Sequence, residues 1–374
     1  MSGKPLAVDC PSPVGPRNCG QLSAASASEA VQTRADSSEA SFIGERVIIV
    51  SPATQVSRGG AALRRNLNAG NSGRAARRGL PVVVLLRHPW RVPELPEVEV
   101  LVRHLAPLLR NKIVRSVAVR KAKVARPSTE RELRAALTGA RFVRLARRGK
   151  YLVFTWRRPG RAGDVTVTGH LGMTGRMYLL PKRAPLPKHA VVVLGLCRNN
   201  FIYEDPRQFG RFTLDDSAVR ALGPEPWDRA FSVEAFTAAL RRSAQAIKVK
   251  LLDQSLVAGI GNIYASEALF RAGISPRRAA RRVRADEVAR LHAAIREVLA
   301  EAIECGSTIP LDFAGDGKRD GLFYYGAVEG NSQFYQERLL VYDRAGKPCV
   351  KCDAPINRLV QAARSTFFCP QCQR

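Results

Sequence analysis

The sequence predicts a multidomain α+β protein: one amphipathic helix, a block of short strands, a block of helices and a terminal four-cysteine module. Three observations carry this. Between 141 and 214 the apolar residues cluster in short strand-like stretches. From 232 to 304 they recur at helical spacing. Cys349-x-x-Cys352 is followed after sixteen residues by Cys369-x-x-Cys372.

Taken in order, residues 1–92 are rich in Ser, Ala, Arg and Gly and hold no sustained period of 2 or 3.6, so a disordered or spurious extension is expected there. Order begins at Pro93. A helix is expected over 96–110: Pro96 suits the first turn, Glu97 and Glu99 sit near its positive end, and Val98, Leu101, Leu105 and Leu108 share a face. Strands are expected within 141–156, 165–179, 190–196, 201–204 and 211–214, with Cys197-Arg-Asn-Asn200 as a hairpin turn, giving a β-sandwich or barrel over 93–225. Helical segments follow: one capped by Ser232 and running through Arg242, one over 248–255, one over 262–272 stopped by Gly273, and one over 286–304. A Gly-rich loop over 315–331 and strands around 334–342 complete the helical domain, 226–340, ahead of a cysteine module over 341–374.

Charge narrows the partners. The chain carries a net +28, and the first 92 residues hold only 12 Lys+Arg against 5 Asp+Glu, so most of the surplus belongs to the part expected to fold. Such a surplus attracts polyanions, nucleic acid foremost. The longest aliphatic run, Leu80 to Leu86 interrupted by Pro81, is far too short to span a bilayer, and no signal-peptide pattern or basic amphipathic helix points to a membrane. Of eight cysteines, Cys10, Cys19, Cys197 and Cys305 are scattered, which fits a reducing compartment with one metal site better than a disulfide framework. No coiled-coil heptads are present, and a monomer is expected.

Several segments carry chemistry. Four thiolates in two C-x-x-C pairs suit tetrahedral zinc and leave no open coordination position, so Cys349, Cys352, Cys369 and Cys372 are expected to hold one structural Zn2+ per chain. Arg358, Arg364, Ser365 and Thr366, between the pairs, read either as a solvated face or as a hairpin tip offered to phosphates. Gly259-Ile-Gly-Asn262 reads as an interhelical turn with Asn262 as N-cap, and a helix N-terminus there could also hold a phosphate. Arg147-Arg-Gly-Lys150 is by default a solvated basic turn. Met173, in His170-Leu-Gly-Met-Thr-Gly175, is either core or wedge; Asp205-Pro-Arg207-Gln-Phe209-Gly210 is either a β-turn with a core Phe or a wedge with an Arg that replaces a lost base partner.

In this order, Pro93-Glu-Leu-Pro-Glu-Val-Glu99, His170-Leu-Gly-Met173, Asp205-Pro-Arg-Gln-Phe-Gly210, Asp253-Gln254 with Val257-Ala-Gly-Ile-Gly-Asn-Ile-Tyr264, and the four-cysteine terminus resemble the bacterial formamidopyrimidine-DNA glycosylases from Pro93 to Arg374. Leu95 favours that branch over the endonuclease VIII relatives, which usually have Gly there. The resemblance implies an N-terminal helix with a β-sandwich, then a helix–two-turn–helix domain bearing a zinc finger. It implies excision of oxidised purines such as 8-oxoguanine and formamidopyrimidines from duplex DNA, strand cleavage at the abasic site, and a cytoplasmic, bacterial, monomeric protein. By position, Pro93 matches the nucleophile, Glu94 the catalytic acid, and Glu97 a supporting carboxylate. Lys150 matches a lysine acting with the phosphate or damaged base, and Met173, Arg207 and Phe209 the residues that fill the gap left by base extrusion. Asn262 and Arg364 match phosphate-gripping residues, Arg364 also acting within the catalytic site, and Lys248 a lysine near the DNA backbone. Two departures stand out: Gln208 replaces a second Arg, and the loop over 310–331 is long.

One feature resists the resemblance. The family's nucleophile is a free N-terminal amine, whereas Pro93 follows Val92 and its nitrogen is an amide. The expectation is that translation starts at codon 92, valine being encoded by GTG, and that the initiator is removed; a cleaved transit segment is the runner-up. Two competing functions follow: a zinc-bearing DNA-binding protein without catalysis if Pro93 stays acylated, and a specialist for oxidised pyrimidines.

Overall fold

The computed structural model describes residues 93–160, 162–306 and 338–374; the expectations for 1–92 and for the loop over 310–331 lie outside them. Helix α1 spans Leu95–Leu109 and buries Val98, Leu101, Leu105 and Leu109. Eight strands follow: β1 (Ser116–Val119), β2 (Arg141–Arg148), β3 (Tyr151–Arg157), β4 (Asp164–His170), β5 (Arg176–Pro181), β6 (Ala190–Gly195), β7 (Asn199–Glu204) and β8 (Arg211–Thr213). They form two antiparallel four-stranded sheets, in the orders β1-β6-β7-β5 and β2-β3-β4-β8. Phe154 of one sheet meets Phe201 of the other edge to face with ring centroids 5.7 Å apart, inside one core that α1 closes. The sandwich is therefore the correct alternative to a barrel.

The runs over 141–156 and 165–179 each hold two strands. Gly149 at φ +55 turns the first, and Gly172 at φ +62 lies in the loop that divides the second. The sequence pattern missed β1 and the short helices α2 (Ala122–Ala125) and α3 (Glu130–Leu137), whose apolar residues are too few to set a period.

The helical part contains α4 (Ser217–Arg220), α5 (Val233–Arg241), α6 (Ile247–Leu251), α7 (Asn262–Ala272) and α8 (Ala285–Glu304). Ser232 caps α5 by accepting the Ala235 amide at 3.2 Å, and Gly273 at φ +72 stops α7, both as expected. The helix expected over 248–255 is shorter than that, because the Asp253 carboxylate takes the Ser255 amide and hydroxyl and turns the chain. Among the described residues, the strand expected near 342 is absent: residues 338–342 are irregular, and their backbone donors go to a side chain rather than to a sheet. The last module is a hairpin, β9 (Asn357–Gln361) and β10 (Arg364–Phe368), turned by Ala362 and Ala363 at φ +46 and +57. Among the described residues no helix is long and apolar enough to cross a membrane.

Candidate active site and nucleic-acid interface

The site begins where α1 meets α7. Leu95 donates its amide to the Gly259 carbonyl at 3.1 Å, which seats the start of α1 on the Gly-rich turn. Glu94, 1 % exposed, then places its carboxylate on the N-terminus of α7, accepting from the Ile263 amide at 2.9 Å and the Tyr264 amide at 3.4 Å. A helix N-terminus favours an anion, and here the anion belongs to the protein. The glycines make room for it: a Cβ on Gly261 would lie 2.2 Å from Glu94 Cδ, and one on Gly259, itself at φ +95, would lie 2.7 Å from Leu95 Cβ. Glu97, also buried, accepts the Glu94 amide at 2.8 Å and the Tyr264 hydroxyl at 2.7 Å. Pro93 is buried beside this pair.

Electrostatics follow from the crowding. Burial pushes the Glu94 carboxyl up to about 7, against the pull of the neighbouring Lys150 charge and the amides of Ile263 and Tyr264. Lys150 is pushed below the ordinary lysine range by desolvation; the charges of Glu94 and Glu97 oppose that shift and that of Arg364 adds to it. Four of the residues singled out from sequence, three in the sandwich domain and Arg364 in the terminal module, are therefore coupled through Lys150.

Lys150 leaves the tight β2–β3 turn, and this turn is not the solvated one expected. Arg147, with a side chain 10 % exposed, donates to Glu99 at 2.8 Å and to Glu225 at 2.6 Å. Glu225 also accepts from Arg148 at 3.1 Å and from the Gly149 amide at 2.6 Å. The turn is clamped to α1 and to the segment entering the helical domain.

Asn262 also departs from expectation. Gly261 holds the N-cap position of α7 and Asn262 is its first residue, so the Asn side chain faces elsewhere. Its Nδ2 donates to the Ser365 carbonyl at 2.9 Å and its Oδ1 accepts from Lys248. Lys248 is fully buried and also donates to the Thr366 hydroxyl at 2.9 Å; burial pushes its ammonium down to about 8. Lys248, Asn262 and the finger hairpin are thus one network, and the hairpin carries Arg364 exposed at its tip. Arg358 is engaged on Ser365 at 3.0 Å. Glu267, fully buried on α7, anchors the lead-in to the finger by accepting the amides of Leu340, Val341 and Tyr342 at 2.9, 3.0 and 2.8 Å.

Met173, Arg207 and Phe209 lie on two loops joined by a residue the sequence did not single out. Asp205, 1 % exposed, accepts from the Thr174 hydroxyl at 2.6 Å, the Arg207 amide at 3.2 Å and the Gly210 amide at 2.9 Å. The loops touch so closely that a Cβ on Gly172 would lie 2.6 Å from the Gly210 nitrogen. The result is a half-buried Met173, an exposed Arg207, and a Phe209 ring 48 % exposed with the Arg207 guanidinium carbon 4.9 Å from its centroid. Phe209 is therefore not a core residue. His170, at the base of the first loop, accepts the Gly172 amide on Nδ1 at 3.0 Å, and burial pushes its imidazole down to about 4, so it is neutral.

The four cysteines converge. Their sulfurs all lie within 4.8 Å of one another, with Cys352 at 3.4 Å from both Cys369 and Cys372 and Cys349 at 3.9 Å from Cys372. Four thiolates around a zinc ion with Zn–S of about 2.3 Å stand about 3.8 Å apart, so the donor set fits that ion and is far too open for disulfides.

Comparison with known proteins agrees with this arrangement. Residues 92–212 match the "Formamidopyrimidine-DNA glycosylase N-terminal domain" family, residues 222–312 the "Formamidopyrimidine-DNA glycosylase H2TH domain" and residues 346–374 the "Zinc finger found in FPG and IleRS". The chain is 38 % identical over 283 residues to the formamidopyrimidine-DNA glycosylase of Carboxydothermus hydrogenoformans, covering 76 % of this chain and 100 % of the relative. It is 41 % identical over 289 residues to that of Thermus thermophilus, covering 75 % and 98 %. Among solved structures, a Lactococcus lactis FPG mutant in complex with a Fapy-dG containing DNA superposes with a TM-score of 0.67 at 32 % identity, over 75 % of this chain and 100 % of that one.

Proposed function

Since the chain belongs to the formamidopyrimidine-DNA glycosylase family, we propose that it is a bifunctional DNA glycosylase and abasic-site lyase of base excision repair, acting on oxidised purines such as 8-oxoguanine and formamidopyrimidines. The observation that carries the reading is the pairing of Pro93 with a buried carboxyl at Glu94 that burial pushes up to about 7. One residue offers a nucleophile, the next an acid still partly protonated at neutral pH.

The working form begins at Pro93. An N-terminal secondary amine has a pKa near the α-amino range, about 7.7–8.0, so a useful fraction is free base. Its lone pair attacks C1′ of the damaged nucleotide. The C1′–N bond to the base breaks, the base leaves with the proton that the proline nitrogen gives up, and Glu94 protonates the sugar ring oxygen as the C1′–O bond opens, so that an iminium joins Pro93 to the opened sugar. The iminium acidifies the C2′ hydrogens; loss of one expels the 3′ phosphate, and a second elimination expels the 5′ phosphate. Lys150, beside the carboxylates, and Arg364, whose charge acts on Lys150 from the finger hairpin, are the cations for the phosphates. Duplex DNA hides the glycosidic bond, so the nucleotide must first be extruded. Met173, Arg207 and Phe209 fill the gap, while Asn262 and the finger hairpin, set in place from beneath by the buried Lys248, hold the flanking backbone. Zinc on the four cysteines holds that hairpin in shape and takes no part in bond breaking.

Duplexes carrying 8-oxoguanine, formamidopyrimidine or an oxidised pyrimidine, each incubated with the chain beginning at Pro93, test the reading. Release of the purine lesions with a one-nucleoside gap bounded by phosphates is expected. Faster release of the pyrimidine lesion would overturn the substrate class. Lesion-specific binding without any scission would instead favour the zinc-bearing DNA-binding protein, the outcome that the Val92–Pro93 amide favours for the uncut chain.

A further inference from the structure

The Phe209 ring has a second cation, contributed from a distant part of the chain. The Lys123 ammonium lies 5.4 Å from the ring centroid. Lys123 sits on α2, and the placement is built rather than accidental. Val124 and Ala125, next to it, are fully buried. Ser128, just beyond, hydrogen-bonds the Thr213 hydroxyl at 2.8 Å and accepts the Leu214 amide at 3.0 Å, so the segment is tied to β8, the strand that Phe209 precedes. Around Lys123 lie three more exposed cations, Arg120, Lys121 and Arg126. Among the described residues none of the four forms an ion pair; Arg120 makes only a long contact to the Pro187 carbonyl at 3.5 Å.

A cation on an exposed ring is weakly held. A ring that enters a base stack gives its faces to bases, so the ammonium must leave it, and the nearest anions are then the phosphates of the duplex being wedged. Resting on the proposed reading of this site as a DNA glycosylase, we propose that Lys123 is a DNA-contact residue that moves from the Phe209 ring to a backbone phosphate as the ring enters the stack, with Arg120, Lys121 and Arg126 as the surrounding basic rim. Insertion and electrostatic grip are thereby coupled at one lysine.

The test is the salt dependence of binding by the full chain to a duplex containing a tetrahydrofuran abasic analogue, compared with the undamaged duplex. Each neutralised phosphate contributes a slope of about 0.9 to log K against log salt. For K123M the slope on the damaged duplex should fall by about that amount, with affinity at low salt reduced about threefold to tenfold and the melting temperature unchanged. R290M should leave the slope alone, because Arg290 is already engaged by Asp286 on α8. A methylphosphonate walk along both strands should find one neutralised position that weakens the wild type and not K123M. An unchanged K123M slope, or no such position, overturns the inference while leaving the proposed function standing. A wild type with no preference for the damaged duplex removes both.

Discussion

The Glu94 carboxylate accepts the amide of Ile263 at 2.9 Å, from a residue 169 positions further along the chain. The acid expected to drive the reaction is thus also the anion that completes α7. Glu94→Gln keeps the shape and one acceptor oxygen but cannot give up a proton. Base excision should fall about 10²–10⁴-fold, the usual range for a lost general acid. DNA affinity should stay within a few fold, because the residue does not face phosphate. Single-turnover excision beside a binding isotherm separates the two; equal loss in both would show that Gln disturbs α7.

The same carboxyl sets a pH limit. Its folded value, about 7, lies above the ordinary 4.5. The protonated form therefore dominates below 7 and is lost above it, so the excision rate should fall about tenfold per pH unit on the alkaline side. The sign for stability is the same: Glu94 contributes fully below about 4.5, and that contribution is lost as pH rises through 7, because a charge is then left buried. The Pro93 amine acts oppositely and makes the acid limb. Rate profiles of wild type and Glu94→Gln should differ in the alkaline limb, which the variant lacks.

Asp205 ties the Met173 loop to the Arg207–Phe209 loop through Thr174, Arg207 and Gly210. Asp205→Asn places an NH2 where an acceptor is needed, at a cost of about 1–3 kcal/mol for the buried donor left unpaired. If the carboxylate positions the wedge, excision from duplex should slow tenfold or more, while cleavage of an abasic site in single-stranded DNA, which needs no extrusion, should change little. A uniform fall on both substrates would reduce Asp205 to a folding role.

Removal of zinc should act at a distance from the chemistry. The finger packs only a small cluster, including Phe270, Val341, Ile356 and Phe367, around its cysteines. Burial and the neighbouring thiols push Cys372 up to about 12, while Cys349, against its burial, is brought down to about 7 by the amides of Lys351 and Cys352, so a cation is needed to hold all four as thiolates together. Chelation should release one zinc per chain and cut DNA affinity tenfold or more, while far-UV circular dichroism retains the sandwich and helices. Full affinity after verified metal loss would contradict the structural role.

Much of this was legible in the sequence because it was local. Ser232 and Gly273 fixed helix ends by their own chemistry, and the cysteine spacing announced its cluster. The misreadings at the site share a cause, which is that the deciding partner is remote. Asn262 has the right side chain for an N-cap, but Glu94 supplies the acceptor for α7 and frees Asn262 for the finger. Arg147 looks like a surface cation until Glu99 and Glu225 close on it. Asp205 carries no signal of its own beyond a motif whose Arg and Phe drew attention first.

The central claim is that the ring nitrogen of Pro93, released from its peptide bond, forms the covalent bond to the sugar. Borohydride reduction during reaction with an 8-oxoguanine duplex, followed by peptide mapping, tests it most directly, run on the 374-residue chain and on the chain beginning at Pro93. The account predicts a reduced adduct on Pro93 for the shorter chain and none for the longer while residues 1–92 remain attached. Equal trapping by the longer chain with its Val92–Pro93 bond intact by mass, or an adduct mapped to Lys150, would contradict it.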